Sequence, residues 1–316
     1  MKIAAFPKAY LDQMSVDRTM TVFDWIEQAR ALPVDGLEMY SGFFWDTSAA
    51  AVERVGAALD AAGFEMPMLC ASPDFTHPDP DVRQREFDTE VRMIEITRVL
   101  AGPGGSCRVL TGQAHPGVAV EQGLAWAVDA IERLIPIAAQ HEVVLAIENH
   151  YKDGAWTYPE FAQRPELFLQ VLDRIDERVW FGVQYDPSNA LVAGADSADF
   201  LAQVVDRVVT MQASDRYLAG GTTLDDLRTA DGTLGYSPDL RHGVIGKGLN
   251  DYDRIFTLLT EAGYDGWISI EDGVNGLDEM RQSAEFLQQA RQRWFGGSTA
   301  VRVRTRDAAI AAARRG

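Results

Sequence analysis

The chain has 316 residues, 47% of them hydrophobic, and a formal charge of −18 at pH 7. That length suits one large α/β barrel, and the acidic balance argues against a nucleic-acid partner, whose phosphates attract basic surfaces. Two cysteines, Cys70 and Cys107, read as buried free thiols; with no signal-peptide pattern and no run near the roughly 18 apolar residues of a membrane span, the expectation is a soluble cytoplasmic protein.

Ile3 to Phe6 is an apolar run stopped by Pro7 and predicts a first strand. Asp17 to Leu32 carries Val22, Trp25, Ile26 and Ala29 at helical spacing, and Pro33 ends it. GLEMY (36–40) is a second strand, and Ala49 to Ala62 a helix closed by Gly63. MPMLCAS (66–72) is a third strand, followed by a helix over about 81–101 with acidic residues at its start. CRVLTG (107–112) is a fourth strand, and Val120 to His141 a long amphipathic helix containing Pro136. VVLAIE (143–148) is a fifth strand before a helix from Pro159 to Ile175. WFGVQYD (180–186) is the sixth strand, Ala198 to Val205 a short helix, and VVTMQ (208–212) the seventh strand. Asn250 to Glu261 is helical, WISIE (267–271) is the eighth strand, and Leu277 to Arg293 the last regular helix.

Eight apolar strands alternating with helices suit a parallel sheet buried on both faces, and eight such units predict a closed (β/α)8 TIM barrel over residues 1–295. An open doubly wound sheet would want a glycine-rich turn after the first strand; FPKAYLDQM stands there instead. The last four strands each end in a polar side chain: Glu148, Asp186, Gln212 and Glu271. Barrel active sites sit at the C-terminal strand ends, so these four face one mouth. A single strand-end carboxylate serves equally well as a helix cap, but three at one mouth repel unless a cation or proton intervenes. An all-oxygen set suits Mg or Mn, and less well Ca or Fe(II); zinc would recruit more His or Cys.

ENH (148–150), YDPSN (185–189), MQASD around Gln212, Gly243 with GKGLNDYD (246–253), and GYDGWISIED (263–272) resemble the xylose-isomerase-like barrel superfamily of sugar isomerase- and epimerase-like proteins. The resemblance implies a divalent metal held by Glu, Asp, His and Glu at the ends of strands five to eight. Glu148, Asp186 and Glu271 match that set, and Gln212 stands where His is usual. Endonuclease IV, a member rich in His ligands, is a poor match for an acidic chain with five His. IENHYKDGAWTYPEFAQ (147–163) and RHGVIGKGLNDYDRIF (241–256) look like the large subunit of bacterial C-glycoside deglycosidases. That likeness implies a 3-oxo-glycoside substrate, bound Mn (or Mg or Co), a small partner subunit and a hetero-oligomer.

The chemistry expected of such a site is deprotonation of a sugar carbon next to a carbonyl, with the metal as Lewis acid and template and a general base within reach. In the lyase reading the enolate expels an aglycone by β-elimination. His150, two residues past Glu148, is the candidate base, and its ordinary pKa near 6.5 suits proton abstraction at neutral pH. In the epimerase or isomerase reading, Glu148 and Glu271 exchange the proton on opposite faces. A third reading is a non-catalytic sugar-binding barrel. Arg216, His242, Lys152 and Trp45 are candidate substrate contacts, with Arg241, His77, His115, Phe44 and Phe6 weaker ones, and GKGLND (246–251) is a weak phosphate-cradle candidate.

The interval from Gln212 to Glu271 is 59 residues, against 38 and 26 for the two before it. The excess lies in a Gly-, Asp- and Thr-rich inserted loop at 217–242, expected to cover the mouth or meet a partner. Residues 296–316 form a basic tail, with five Arg against one Asp after residue 301, expected to dock on its own or a neighbouring subunit.

Overall fold

The computed structural model describes residues 1–231 and 237–296, so the basic tail lies outside the described residues, as does 232–236 of the insertion. The described residues form eleven strands: β1 (Lys2–Ala5), β2 (Gly36–Leu37), β3 (Met39–Tyr40), β4 (Met68–Cys70), β5 (Ser106–Val109), β6 (Val144–Glu148), β7 (Phe181–Tyr185), β8 (Val208–Ala213), β9 (Asp215–Leu218), β10 (Leu240–Gly243) and β11 (Trp267–Ile270). Nine of them make one all-parallel sheet in the order β2-β1-β11-β8-β7-β6-β5-β4-β3. Its two ends, β2 and β3, are halves of one stave interrupted at Glu38. Leu37 pairs with Ala5 on one side and Met39 with Leu69 on the other, while the Glu38 amide donates to the Ala5 carbonyl at 3.0 Å. The result is a nearly closed barrel of eight staves, as the alternating pattern predicts.

The staves are buried along their length, from Ile3 through Leu145, Val183, Met211 and Ile270, because helices cover the outside. The helices carry the stop and start signals read from sequence. Ser48 caps Ala49–Ala62 and Gly63 closes it in a left-handed conformation (φ 78°). Asp79 and Pro80 open Pro80–Ala101.

Among the boundaries that differ from expectation, three have a visible reason. The first long helix begins at Val22, where Thr21 and Asp24 form a capping box. The helix expected from Pro159 begins at Pro165, because the amides of Glu160, Phe161 and Ala162 are drawn to Tyr151, Gly112 and Thr111 instead. The last helix ends at Ala290 and continues as a π-helical turn, Arg291–Phe295. A short helix not foreseen, Pro187–Val192, follows Asp186 directly.

The insertion is not a plain loop. β9 and β10 pair antiparallel, with Arg216 opposite His242, and a helix, Leu224–Asp231, lies between them. Leu227 and Leu240 pack with Leu191 and Val192 of the short helix in a small satellite core. The hairpin is thereby seated beside the barrel mouth. No helix among the described residues is long and apolar enough to cross a membrane.

Candidate active site

Glu148 is the last residue of β6, and Asp186 and Glu271 immediately follow β7 and β11. All three are buried, and one oxygen from each lies within 4.8 Å of the others. Each carboxylate is held by its own partners. Glu148 Oε2 accepts from Arg108 Nη1 at 2.6 Å, and its Oε1 from Asn189 Nδ2 at 2.8 Å. Glu271 Oε1 accepts from Lys8 Nζ at 2.9 Å. Asp186 does cap a helix, since Oδ1 accepts from the Asn189 amide at 2.9 Å and from Ser214 Oγ at 2.8 Å. Its Oδ2 is enclosed and has no hydrogen-bond partner. Asn149 ties the two strand ends together, giving its amide to the Asp186 carbonyl and accepting from the Asp186 N–H.

Gln212 lies within β8 and is wholly buried. Its Nε2 donates to Glu38 Oε1 at 2.7 Å, and its Oε1 is enclosed without a partner. Glu38, buried at the break in its stave, also accepts from the Cys70 thiol at 2.9 Å. Burial pushes the Glu38 carboxyl up to about 7.

The electrostatics of the three carboxylates are uneven. Burial drives Glu148 up to about 8 despite Arg108. Burial, Glu271 and Glu148 raise Asp186 well above the carboxylate range. Burial works to raise Glu271 as well, but the Lys8 ammonium, its hydrogen bond and Arg108 outweigh it and hold Glu271 low. Lys8 and Arg108 are paired with two of these carboxylates, and Asp186 sits between them without an ion-pair partner of its own among the described residues. The three carboxylates and the unpartnered Asp186 Oδ2 fit a hard divalent ion, whereas the Gln212 side chain is engaged with Glu38.

His150 is buried between Tyr151 and Trp156, with ring centroids at 5.5 and 6.2 Å. Its Nδ1 is enclosed and lies 4.0 Å from Glu160 Oε2. The expectation of an ordinary pKa needs correction: burial, then Arg108 and Lys8, hold the imidazole well below 6.5. His150 is therefore a neutral acceptor at physiological pH.

Arg216 and His242 face each other across the hairpin, with Arg216 Nη2 at 3.2 Å from His242 Nε2. The Arg216 guanidinium also lies over the Tyr151 ring, 5.4 Å from its centre. Burial, Lys8 and Arg216 push His242 down to about 2, so it stays neutral and accepts from Arg216. These groups gather near Lys8 at the mouth. Lys152 is half-buried on the loop after β6 and takes no part in the hydrogen bonds of the triad. Trp45 is exposed on the rim, its indole N–H donating to the Met14 carbonyl and Arg18 6.0 Å from its ring. Phe6 and Phe44 belong to the core, and Arg241 is exposed. His115 holds Asp74 at 2.7 Å and stacks edge-on with His77, away from the triad's own contacts. The phosphate-cradle expectation for GKGLND fails for a physical reason. The amides of Gly246, Gly248 and Asn250 already donate to the Asp215 carboxylate.

Sequence reading missed Lys8, Arg108, Glu38, Asn189, Ser214 and Glu160. Arg108 and Glu38 left a signal, a charged residue inside the runs CRVL and GLEMY; Asn189 lies in the short helix after Asp186, and Lys8, Ser214 and Glu160 follow no apolar pattern.

A search of curated proteins gives no match to this chain. Among solved structures, a D-tagatose 3-epimerase-like protein superposes with a TM-score of 0.72 at 17% identity, covering 94% of this chain and 99% of the other. The 3-keto-D-glucoside 4-epimerase of E. coli gives 0.65 at 15%, covering 92% and 99%. The IOLI protein with a bound zinc atom gives 0.69 at 14%, covering 93% and 99%. At these identities the likeness establishes the fold. The family profile described as xylose isomerase-like TIM barrel matches residues 26–290, a span that holds all four strand-end positions, and the chain belongs to that family.

Proposed function

We propose that the chain is a divalent-metal-dependent enzyme that performs enolate chemistry on a keto-sugar, and more narrowly that it is the catalytic subunit of a C-glycoside deglycosidase. The observation that carries the general reading is the buried triad Glu148, Asp186 and Glu271, with Asp186 Oδ2 enclosed and unpartnered. Glu148, Asp186 and Glu271 would hold the ion, with Mn favoured and Mg or Co acceptable. When bound, it supplies Lewis-acid polarisation of the carbonyl and a template for the neighbouring hydroxyl. IolI's zinc and the epimerase names of the neighbours support an enzyme of this kind.

His150 takes the proton next to the carbonyl. Burial and the nearby cations keep the ring neutral, with its lone pair free, but also make it a weaker base than an ordinary imidazole. Arg216 and His242, with Lys152 and Trp45 further out, bind the substrate's oxygens and rings. The enolate pair then expels the aglycone from the adjacent carbon by β-elimination: one C–C bond breaks, a double bond forms in the sugar, and the departing aglycone carbon takes up a proton, from water or from the imidazolium formed in the first step. The lyase reading gains support from how both glutamates are held. Glu148 is engaged at both oxygens and Glu271 is ion-paired, so a two-glutamate proton exchange would have to break these contacts. A small partner subunit and a hetero-oligomer belong to the same proposal.

A second reading, a non-catalytic sugar-binding barrel, is favoured by one observation: Lys8 and Arg108 already neutralise two of the three carboxylates. Metal analysis of the purified protein separates the two. Near-stoichiometric Mn, Mg or Co supports the enzyme, and a metal-free site that takes up no added Mn²⁺ ends it. Incubation with a 3-oxo-C-glucoside and with ketohexoses then distinguishes the chemistry. Aglycone release marks the lyase, whereas ketose interconversion without release marks an epimerase.

A further inference from the structure

Two enclosed polar atoms face each other beside the triad, and neither has a hydrogen-bond partner: His150 Nδ1 and Glu160 Oε2, 4.0 Å apart. Leaving a buried polar atom unpaired costs roughly 1–3 kcal/mol. Two such atoms of complementary type, about 1 Å beyond hydrogen-bond length, are most simply explained as a pair that closes. The rest of the geometry aims them at each other. Glu160 is 3% exposed. Its Oε1 accepts from both the amide and the hydroxyl of Thr111, two residues past β5. The chain around it is pinned by the Phe161 amide on the Gly112 carbonyl and the Ala162 amide on Thr111 Oγ. The imidazole has Tyr151 at one side and Trp156 edge-on at another, which limits its rotation.

We infer that Glu160 is a positioning residue that accepts a hydrogen bond from His150 Nδ1–H, and so sets the imidazole tautomer with Nε2 unprotonated. The Thr111 donors on Oε1 pull the Glu160 carboxyl down, while burial outweighs them and pushes it up to about 8; a hydrogen bond from Nδ1–H to Oε2 adds the further donor that favours the carboxylate form. With the proton held on Nδ1, the Nε2 lone pair is the one available to a substrate C–H. The carboxylate also stabilises the imidazolium formed when His150 takes that proton. Glu160 itself gains and loses nothing: the proton moves from carbon to Nε2, and the electron pair stays on the substrate. This is the role of an acid that orients a catalytic histidine, reached here through a threonine just past β5. It rests on the reading of His150 as the base, but its principal test does not.

That test is the tautomer. In protein labelled with ¹⁵N-histidine, long-range ¹H–¹⁵N spectra distinguish a protonated from an unprotonated ring nitrogen, and the His150→Gln variant identifies the His150 signals among five histidines. The expected result is a neutral imidazole protonated at Nδ1 in the wild-type chain, moving toward the Nε2–H form in Glu160→Gln. An Nε2–H tautomer in the wild-type chain, or one unchanged by Glu160→Gln, overturns the assignment. The wild-type measurement stands even if the variant folds poorly. Turnover supplies the second arm: Glu160→Gln should lower kcat by about 10²-fold with little change in KM. An unaltered kcat in Glu160→Gln, with the Nδ1–H tautomer present in the wild-type chain, overturns the positioning role in turnover while leaving His150 as the base and the broader function standing, which separates the two failures.

Discussion

Asp215 offers a sharp test of how the mouth is built. Its carboxylate takes four backbone amides: Oδ2 accepts from Gly246 and Gly248, each at 2.9 Å, and Oδ1 from Arg216 at 2.9 Å and Asn250 at 3.2 Å. Asp215→Asn keeps the shape but turns one oxygen into an NH2. Whichever way the amide points, two N–H donors then face a donor. Two hydrogen bonds to a charged acceptor are lost, at roughly 1.5–3 kcal/mol each, so the expected destabilisation is about 3–6 kcal/mol at most. Local release of residues 244–250 would absorb part of it. The same segment holds the hairpin, since the Leu249 amide donates to the Arg216 carbonyl at 2.8 Å. Urea unfolding gives the global loss, and hydrogen exchange at Gly246 and Gly248 reports the local one. A loss below about 1 kcal/mol, the size of one ordinary hydrogen bond, with both amides still protected, would refute the reasoning.

Other expected outcomes concern charge. Glu148 is pushed up to about 8 and Asp186 upward, so a metal ion must displace their protons. Mn²⁺ affinity should therefore rise from pH 6 to 8, by up to about tenfold per unit for each proton released; calorimetric titration at three pH values tests this, and a flat profile contradicts it. Glu90 faces Cys107 from its helix, and burial pushes it up to about 8. The folded chain then binds a proton that the unfolded chain has released above its ordinary value of 4.5, so stability falls as pH rises between them, by up to about 1.4 kcal/mol per unit. Glu90→Gln should flatten that slope in urea titrations at pH 5.5 and 7.5. Arg108→Met leaves Glu148 buried without its cation and should cost about 3–5 kcal/mol, read by the same unfolding assay; a neutral outcome would mean that Arg108 does not pair with Glu148 in solution.

Much of this architecture is legible before any coordinates. Parallel strands buried on both faces leave uninterrupted apolar runs, and a polar residue ending such a run stands out, which is why Glu148, Asp186 and Glu271 are visible from sequence. Their partners are not, because proximity across a barrel has no periodicity: Arg108 is 40 residues from Glu148, and Lys8 is 263 from Glu271. The hairpin hides for a different reason. DRYL and LRHG are short, mixed in polarity and separated by a Gly- and Asp-rich stretch, so composition reads as loop where cross-strand pairing of Arg216 with His242 makes structure. GKGLN misleads because free amides and amides spent on an internal carboxylate look alike in sequence.

The pairing of β1 with β11 has a consequence for how the protein comes into being. The strand that closes the barrel is made last and docks against the one made first, and Glu271 arrives with it. Until that long-range contact forms, a nascent or partly unfolded chain lacks a complete set of ligands, and loop-closure entropy makes such a step slow. An ion that binds only the complete set therefore stabilises the closed ring over every open one. If the triad takes such an ion, metal supply and barrel closure are linked, and ion-free chains would spend longer open, with unpaired strand edges exposed to aggregation.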